Sequence, residues 1–112
     1  PDLGQRPLHW VRDILFDSGG VRLWLDDRRP SPPGWIWAKD VEHAKRVASK
    51  FRVVEMSLDH DLGFFRPTGY DFVVWLHKSG NWPVRRPNVH SANPTGRMRM
   101  AKLIDGGFVV GR

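Results

Sequence analysis

Short apolar runs recur along this chain, and they stop on polar residues able to do chemistry. Val21–Leu25 is hydrophobic except for Arg22 and ends on Asp26-Asp27. Val53–Leu58 is mostly apolar and ends on Asp59-His60-Asp61. Residues 35–38 form a shorter run, 87–92 a later one that carries His90 and Ser91, and 108–110 reads as a fifth strand. Helical spacing fills the gaps. Residues 6–18 place Leu8, Val11, Ile14 and Leu15 on an uneven apolar face, with Gly19-Gly20 as the stop. From Asp40, a natural N-cap, Val41, Ala44, Val47 and Ala48 face inward while Lys45, Arg46 and Lys50 face water. Thr68 and Asp71 form a capping box ahead of an apolar run, and Gly80 ends that helix. Asn93-Pro94 opens a last helix that runs to about Ile104, where Gly106-Gly107 breaks it.

Strands alternating with helices imply crossover connections and a mainly parallel sheet. The first crossover is the exception, because residues 28–34 hold three prolines and leave no room for a helix. Ligands of such sheets gather beyond the carboxyl ends of the strands. The polar stops lie there. The division expected is a helical extension over residues 1–20 and one α/β domain over 21–112, since 112 residues suffice for a single core.

Composition narrows the function classes. A net charge of +6, from 18 Lys and Arg against 12 acidic residues, favours an anionic partner. No long basic block and no helix-turn-helix or finger motif accompanies it, which argues against sequence-specific DNA binding. No stretch is apolar enough to span a membrane, so no membrane partner is expected. The absence of cysteine excludes disulfides and thiolate metal sites and accords with an expected cytoplasmic setting. Trp35 and Trp37 flank a turn, where they either pack at the rim or present a ring to a base.

Against that basic background, Asp26, Asp27, Asp59 and Asp61 crowd into two turns. Such crowding costs energy unless a cation or shared protons offset it. Oxygen ligands of this kind suit Mg2+ or Mn2+, which keep waters for a phosphate substrate. The alternative is that Asp61 caps a loop and His60 packs on Phe64 or Phe65. His90 ends a strand with a side chain able to move protons near neutral pH. Ser91 and the helix opening at Asn93 offer an anion cradle, with Thr95, Gly96, Arg97 and Arg99 beside it. Thr68 marks a second helix start, and Arg28 and Arg29 either reach the pocket or screen it.

Four segments carry a resemblance: Leu23-Trp24-Leu25-Asp26-Asp27-Arg28-Arg29-Pro30, Ser57-Leu58-Asp59-His60-Asp61-Leu62-Gly63, Thr68-Gly69-Tyr70-Asp71, and His90-Ser91-Ala92-Asn93-Pro94 with Gly96-Arg97 and Met100. In this order, over about residues 21–104, the chain resembles the cyclic-phosphate-processing receiver-like family, an offshoot of response-regulator receiver domains. The resemblance implies a small three-layer, flavodoxin-like α/β fold; this sequence departs from that pattern in lacking the helix after the first strand, and its extra N-terminal helix lies outside the resemblance. It also implies that Asp26, Asp27 and Asp59 hold magnesium. The missing helix, the His60-Asp61 that follows Asp59 and the lack of a lysine on the late strand speak against phosphorelay signalling.

The resulting expectation is a metal-dependent phosphodiesterase acting on a small cyclic phosphate, such as a 2',3'-cyclic ribose phosphate, a related nucleotide or an ADP-ribose product. Asp26, Asp27 and Asp59 hold Mg2+ or Mn2+, and Asp61 assists or acts as base. His90, or else His60, moves the proton, while Arg97 and Arg99 counter growing charge. Ser91, Asn93, Thr95, Gly96, Thr68 and Arg28 contact the substrate. The alternatives are a non-catalytic sensor of a cyclic nucleotide or RNA end, and a receiver-like interaction domain that assembles through its N-terminal helix.

Overall fold

The structure is a computed structural model that describes residues 20–109. The helix expected over 6–18, and Val110 of the expected fifth strand, lie outside the described residues. The described chain runs β1 (Val21–Leu25), β2 (Ile36–Ala38), α1 (Val41–Lys50), β3 (Val53–Leu58), α2 (Gly69–Ser79), β4 (Asn88–Val89) and α3 (Pro94–Asp105). The four strands form one sheet in the order β2-β1-β3-β4, and every pairing is parallel. This is a receiver-like arrangement.

Strand alternation assigns the two faces. Leu23 and Leu25 pair with Met56 and Leu58, and all four are buried in one core with Ala38, Phe72, Leu76, Met100 and Ile104. Burying such a side chain contributes roughly 1.5–3 kcal/mol. Helices α1, α2 and α3 supply the rest of that core through Val41, Ala44, Val47, Val73 and the residues just named. The opposite face carries Arg22 and Trp24 on β1 beside Glu55 and Ser57 on β3. Among the described residues no helix covers that face.

Caps fall where local chemistry predicts. The Asp40 side chain accepts from the His43 amide, and Thr68 and Asp71 form the full capping box. Asp40→Ala should therefore lower the urea midpoint by the equivalent of about 1 kcal/mol with an unchanged m-value. An unchanged midpoint would show that α1 is held by packing alone.

Two strand expectations are corrected. The fourth strand is reduced from 87–92 to Asn88–Val89, because beyond it the chain turns to cap α3, with the Asn93 amide donating to Ser91 Oγ. Phe108 and Val109 form no strand. The amides of Gly106, Gly107 and Phe108 fold back onto the end of α3, and Phe108 packs edge-on against Trp82. His77 is half-buried and donates through Nε2 to the Leu103 carbonyl at 2.6 Å.

Candidate metal and phosphate site

Ladder hydrogen bonding continues one residue past three strands and sets the site's geometry. The Asp26 amide donates to Ala38 O, the Asp59 amide to Leu25 O and the His90 amide to Leu58 O, at 2.8–3.0 Å. Three distant segments are thereby held side by side at the carboxyl edge of the sheet. Oxygens of Asp26, Asp27 and Asp59 all lie within 4.8 Å of one another. They open on a recess of about 260 Å3 lined also by Arg28, Arg29, Asp61 and Ser91.

Each carboxylate has its own environment. Asp26 is fully buried; its Oδ1 accepts the Arg28 and Arg29 amides at 2.8 Å, and its Oδ2 meets Arg29 Nε at 3.2 Å and His90 Nε2 at 3.0 Å. Burial pushes this carboxyl up, but the amides of Arg29 and Arg28, the His90 ring and the Arg29 charge together outweigh it and hold the group below its usual value. Asp59 goes the other way. Burial raises it most and the Asp26 charge adds to that, against bonds from the His60 amide and the Ser91 hydroxyl. Asp27 Oδ1 is buried and has no hydrogen-bond partner among the described residues.

An orphaned carboxylate oxygen beside two further carboxylates is what a hard divalent cation would satisfy. The donor set is all oxygen, as Mg2+ or Mn2+ prefers. The residues fit such an ion. Arg29, half-exposed, bridges Asp26 and Asp59, with Nη2 lying 4.0 Å from Asp59 Oδ1.

His90 stands behind Asp26. Its ring is stacked on Trp24 at 3.9 Å between centroids and 7° between planes. The ionised Asp26 can only accept, so Nε2 carries the proton and Nδ1 accepts from Ser57 Oγ at 2.7 Å. Burial lowers the His90 pKa, which the Asp26 bond and charge offset only in part. The imidazole is thus neutral near pH 7 with both nitrogens engaged, a geometry that orients Asp26.

The other predicted residues spread around this centre. Asp61 is exposed on the recess wall and held by His60 Nδ1 at 2.7 Å and Asn93 Nδ2 at 3.4 Å. The bond from His60 is the main reason that its pKa is lowered. Gly96 is needed for a close approach, but to His60: a Cβ there would lie 2.5 Å from His60 Cγ. His60 therefore packs on α3, while Phe64 and Phe65 stand in solvent. The α3 cradle is largely taken, since Pro94 has no N–H and Asn93 Oδ1 accepts the Gly96 amide. Thr95 is exposed on the first turn of α3, and Arg97 Nη1 donates to Ser91 O at 2.9 Å. Arg99 lies over the Tyr70 ring at 4.8 Å, and Thr68 lines an adjoining recess. Trp37 does not offer its ring edge freely, because Nε1 donates to Asp26 O at 2.7 Å and braces the acidic turn.

Sequence reasoning missed Ser57 and Trp24 as supports of the site. Ser57, the one uncharged polar residue in an otherwise apolar and acidic strand, was the available signal; nothing in the text marked Trp24.

A parallel 2-1-3-4 sheet with an acidic triad at its carboxyl edge defines a receiver-like domain. The family model of the cyclic-phosphate processing receiver domain matches residues 21–106, and the chain belongs to that family. Neither the curated proteins nor the solved structures give a match. Among the described residues no helix is long and apolar enough to cross a membrane.

Proposed function

We propose that the chain is a divalent-metal-dependent phosphodiesterase opening a small cyclic phosphate, with a ribose 2',3'-cyclic phosphate as the model substrate. The observation that carries this reading is the orphaned Asp27 oxygen beside Asp26 and Asp59 in a recess walled by Arg28 and Arg29. A cation bound there supplies polarisation of the phosphoryl oxygens and a more acidic attacking water.

The chain's own residues supply the rest. Arg28 lines the recess and makes no ion pair among the described residues, so it is free to meet a phosphoryl oxygen. Asp61, on the same wall and backed by His60, takes the proton of the attacking water, and the pair returns it to the departing ribose oxygen. His90 acts as a positioning residue for Asp26. This reassigns the proton-moving role from the residue favoured on sequence grounds. Ser91 and Asn93 hold the Asp59 and Asp61 side chains. Arg97 and Thr95 flank the cradle, and Arg99 screens it from farther off.

Phosphorus NMR of a set of cyclic phosphates, with and without Mg2+ or Mn2+, tests the reading. New monoester resonances that require the metal and vanish in Asp26→Asn are expected. Binding without turnover would make the chain a sensor. Stable phosphorylation of Asp59 by a small phosphodonor, with no ester opening, would make it a signalling receiver.

A further inference from the structure

Next to the acidic recess lies a second of about 300 Å3, lined by Asp27, Arg28, Asp61, Leu62, Gly63, Phe64 and Thr68. It shares Asp27, Arg28 and Asp61 with the first. On its rim the chain does something costly. Phe64, which lines the recess, and its neighbour Phe65 are 92% and 105% exposed, so both rings stand almost wholly in water. Phe65 also sits at φ 59°, a left-handed conformation that a bulky side chain adopts only under constraint. Two residues before Phe64 the chain is firmly placed: Leu62 is 1% exposed and belongs to the core. An anchored loop therefore raises two aromatic rings, 6.3 Å apart, beside a recess whose wall carries both apolar and charged side chains.

We infer that this second recess is a base subsite, in which Phe64 and Phe65 stack on the nucleobase of a nucleoside cyclic phosphate whose phosphate occupies the acidic recess. The inference rests on the phosphodiesterase reading and specifies its substrate class: a nucleotide, in preference to a bare sugar phosphate. Three features select that occupant. The recesses share Asp27, Arg28 and Asp61 in their walls, so a ligand laid across both would be anionic at one end and reach the Phe64 ring at the other. Arg28 stands at the junction with a guanidinium that pairs with no carboxylate among the described residues, complementary to a phosphate there. The volume lies at the low end for small-molecule sites, which suits one base and its sugar. Stacking on an aromatic ring is tolerant of base identity and contributes about 1–3 kcal/mol per base.

The test compares adenosine 2',3'-cyclic phosphate with an abasic ribose 2',3'-cyclic phosphate in the full chain. Turnover is read by phosphorus NMR, and equilibrium binding of the corresponding monophosphates by calorimetry. The wild type should prefer the base-bearing compound by roughly tenfold or more in both readouts. That ratio should collapse toward one in Phe64→Ala with Phe65→Ala, and survive in Phe64→Tyr. Melting temperatures identify any variant that fails to fold; Phe64→Tyr and the exposed position of both rings keep the comparison available. Equal ratios in wild type and double variant, with both compounds turned over, would overturn the base subsite and leave the phosphodiesterase standing. Failure to bind or open either compound would overturn both. If the double variant instead lost association with anionic vesicles while its nucleotide preference stayed intact, the rings would be a membrane contact and the subsite would be wrong.

Discussion

Replacing Asp59 with asparagine should raise the melting temperature of the metal-free protein while abolishing its response to divalent cations. Asp59 is 6% exposed, and burial, followed by the Asp26 charge, pushes its pKa above the ordinary value. A carboxyl raised in the folded state binds its proton more tightly there than in the unfolded chain. Its stabilising contribution is thus complete below the unfolded pKa and is lost as pH rises through the folded one. At neutral pH the ionised group therefore opposes folding. Asparagine keeps an oxygen for the His60 amide, which donates at 2.8 Å, and removes the charge. Each 1 kcal/mol recovered moves the midpoint by roughly 4 °C or more in a domain of this size.

Metal should reverse the order of the two proteins. At a concentration one hundred times its dissociation constant, a cation stabilises the wild type by about 2.7 kcal/mol. The variant, with one of three carboxylates gone, should show little of that shift and lose phosphodiester turnover by roughly 10²-fold or more. Thermal melts in chelator and in Mg2+ or Mn2+ read both effects. A lower melting temperature for the variant in chelator would mean that the Asp59 charge supports the empty fold, with the Arg29 contact prevailing over desolvation. An equal metal shift in the two proteins would remove Asp59 from the ligand set.

Gly69→Ala should destabilise the fold by about 2–3 kcal/mol and weaken the metal response with it. A Cβ at Gly69 would lie 1.9 Å from the Asp59 carbonyl oxygen and 2.8 Å from Met100 Cε. The methionine tip can swing, but the carbonyl cannot. The Asp59 amide is tied to Leu25 O at 2.8 Å and the Gly69 amide to His60 O at 2.9 Å, so both backbones are fixed. Helix propensity pulls the opposite way and favours alanine by up to about 1 kcal/mol, less at a first-turn position such as this. Overpacking of a rigid interior commonly costs about 1–3 kcal/mol, and here it falls on backbone. The clash wins. Because relief must come from moving the peptide that carries Asp59, the metal-induced rise in melting temperature should shrink together with stability. A variant as stable as wild type would show that the α2 start can slide away from β3.

Gly69 illustrates where sequence reading ran short. On the linear text, Thr68-Gly69 looks like a helix start able to meet a phosphate. In three dimensions the Gly69 amide is spent on His60 O, and the missing side chain makes room for β3. Gly96 repeats the lesson, since the partner its bare Cα admits is the His60 ring. The capping residues Asp40, Thr68 and Asn93 were legible, because a cap is decided by the residue and its next three neighbours. The short fourth strand and the absence of Phe108 and Val109 from the sheet were not. A strand exists only where a neighbour pairs with it, and no local preference reports the neighbour.

The carboxylates tell the same story from the side of function. Crowding of Asp26, Asp27, Asp59 and Asp61 in a basic chain was enough to mark a candidate site and suggest a hard cation. Which of them are alike could not be read. Asp26 and Asp59 differ in the amides, hydroxyls and charges that reach them from three separate segments, and those contacts push their proton affinities in opposite directions. The position of His90 behind Asp26, clamped by Ser57 and Trp24, depends on strand register over more than thirty residues of separation.

Alternating apolar and polar positions, proline placement and caps were by themselves sufficient to determine the parallel α/β order of the described chain and the edge where its polar stops collect, since these are short-range consequences of backbone and side-chain chemistry. Tertiary structure alone decided, among the described residues, which carboxylate oxygen is orphaned, which histidine is clamped behind Asp26 and which arginine of the recess makes no ion pair. Those properties are set by desolvation and by partners far away in the chain, and they come into being only when the strands lie side by side.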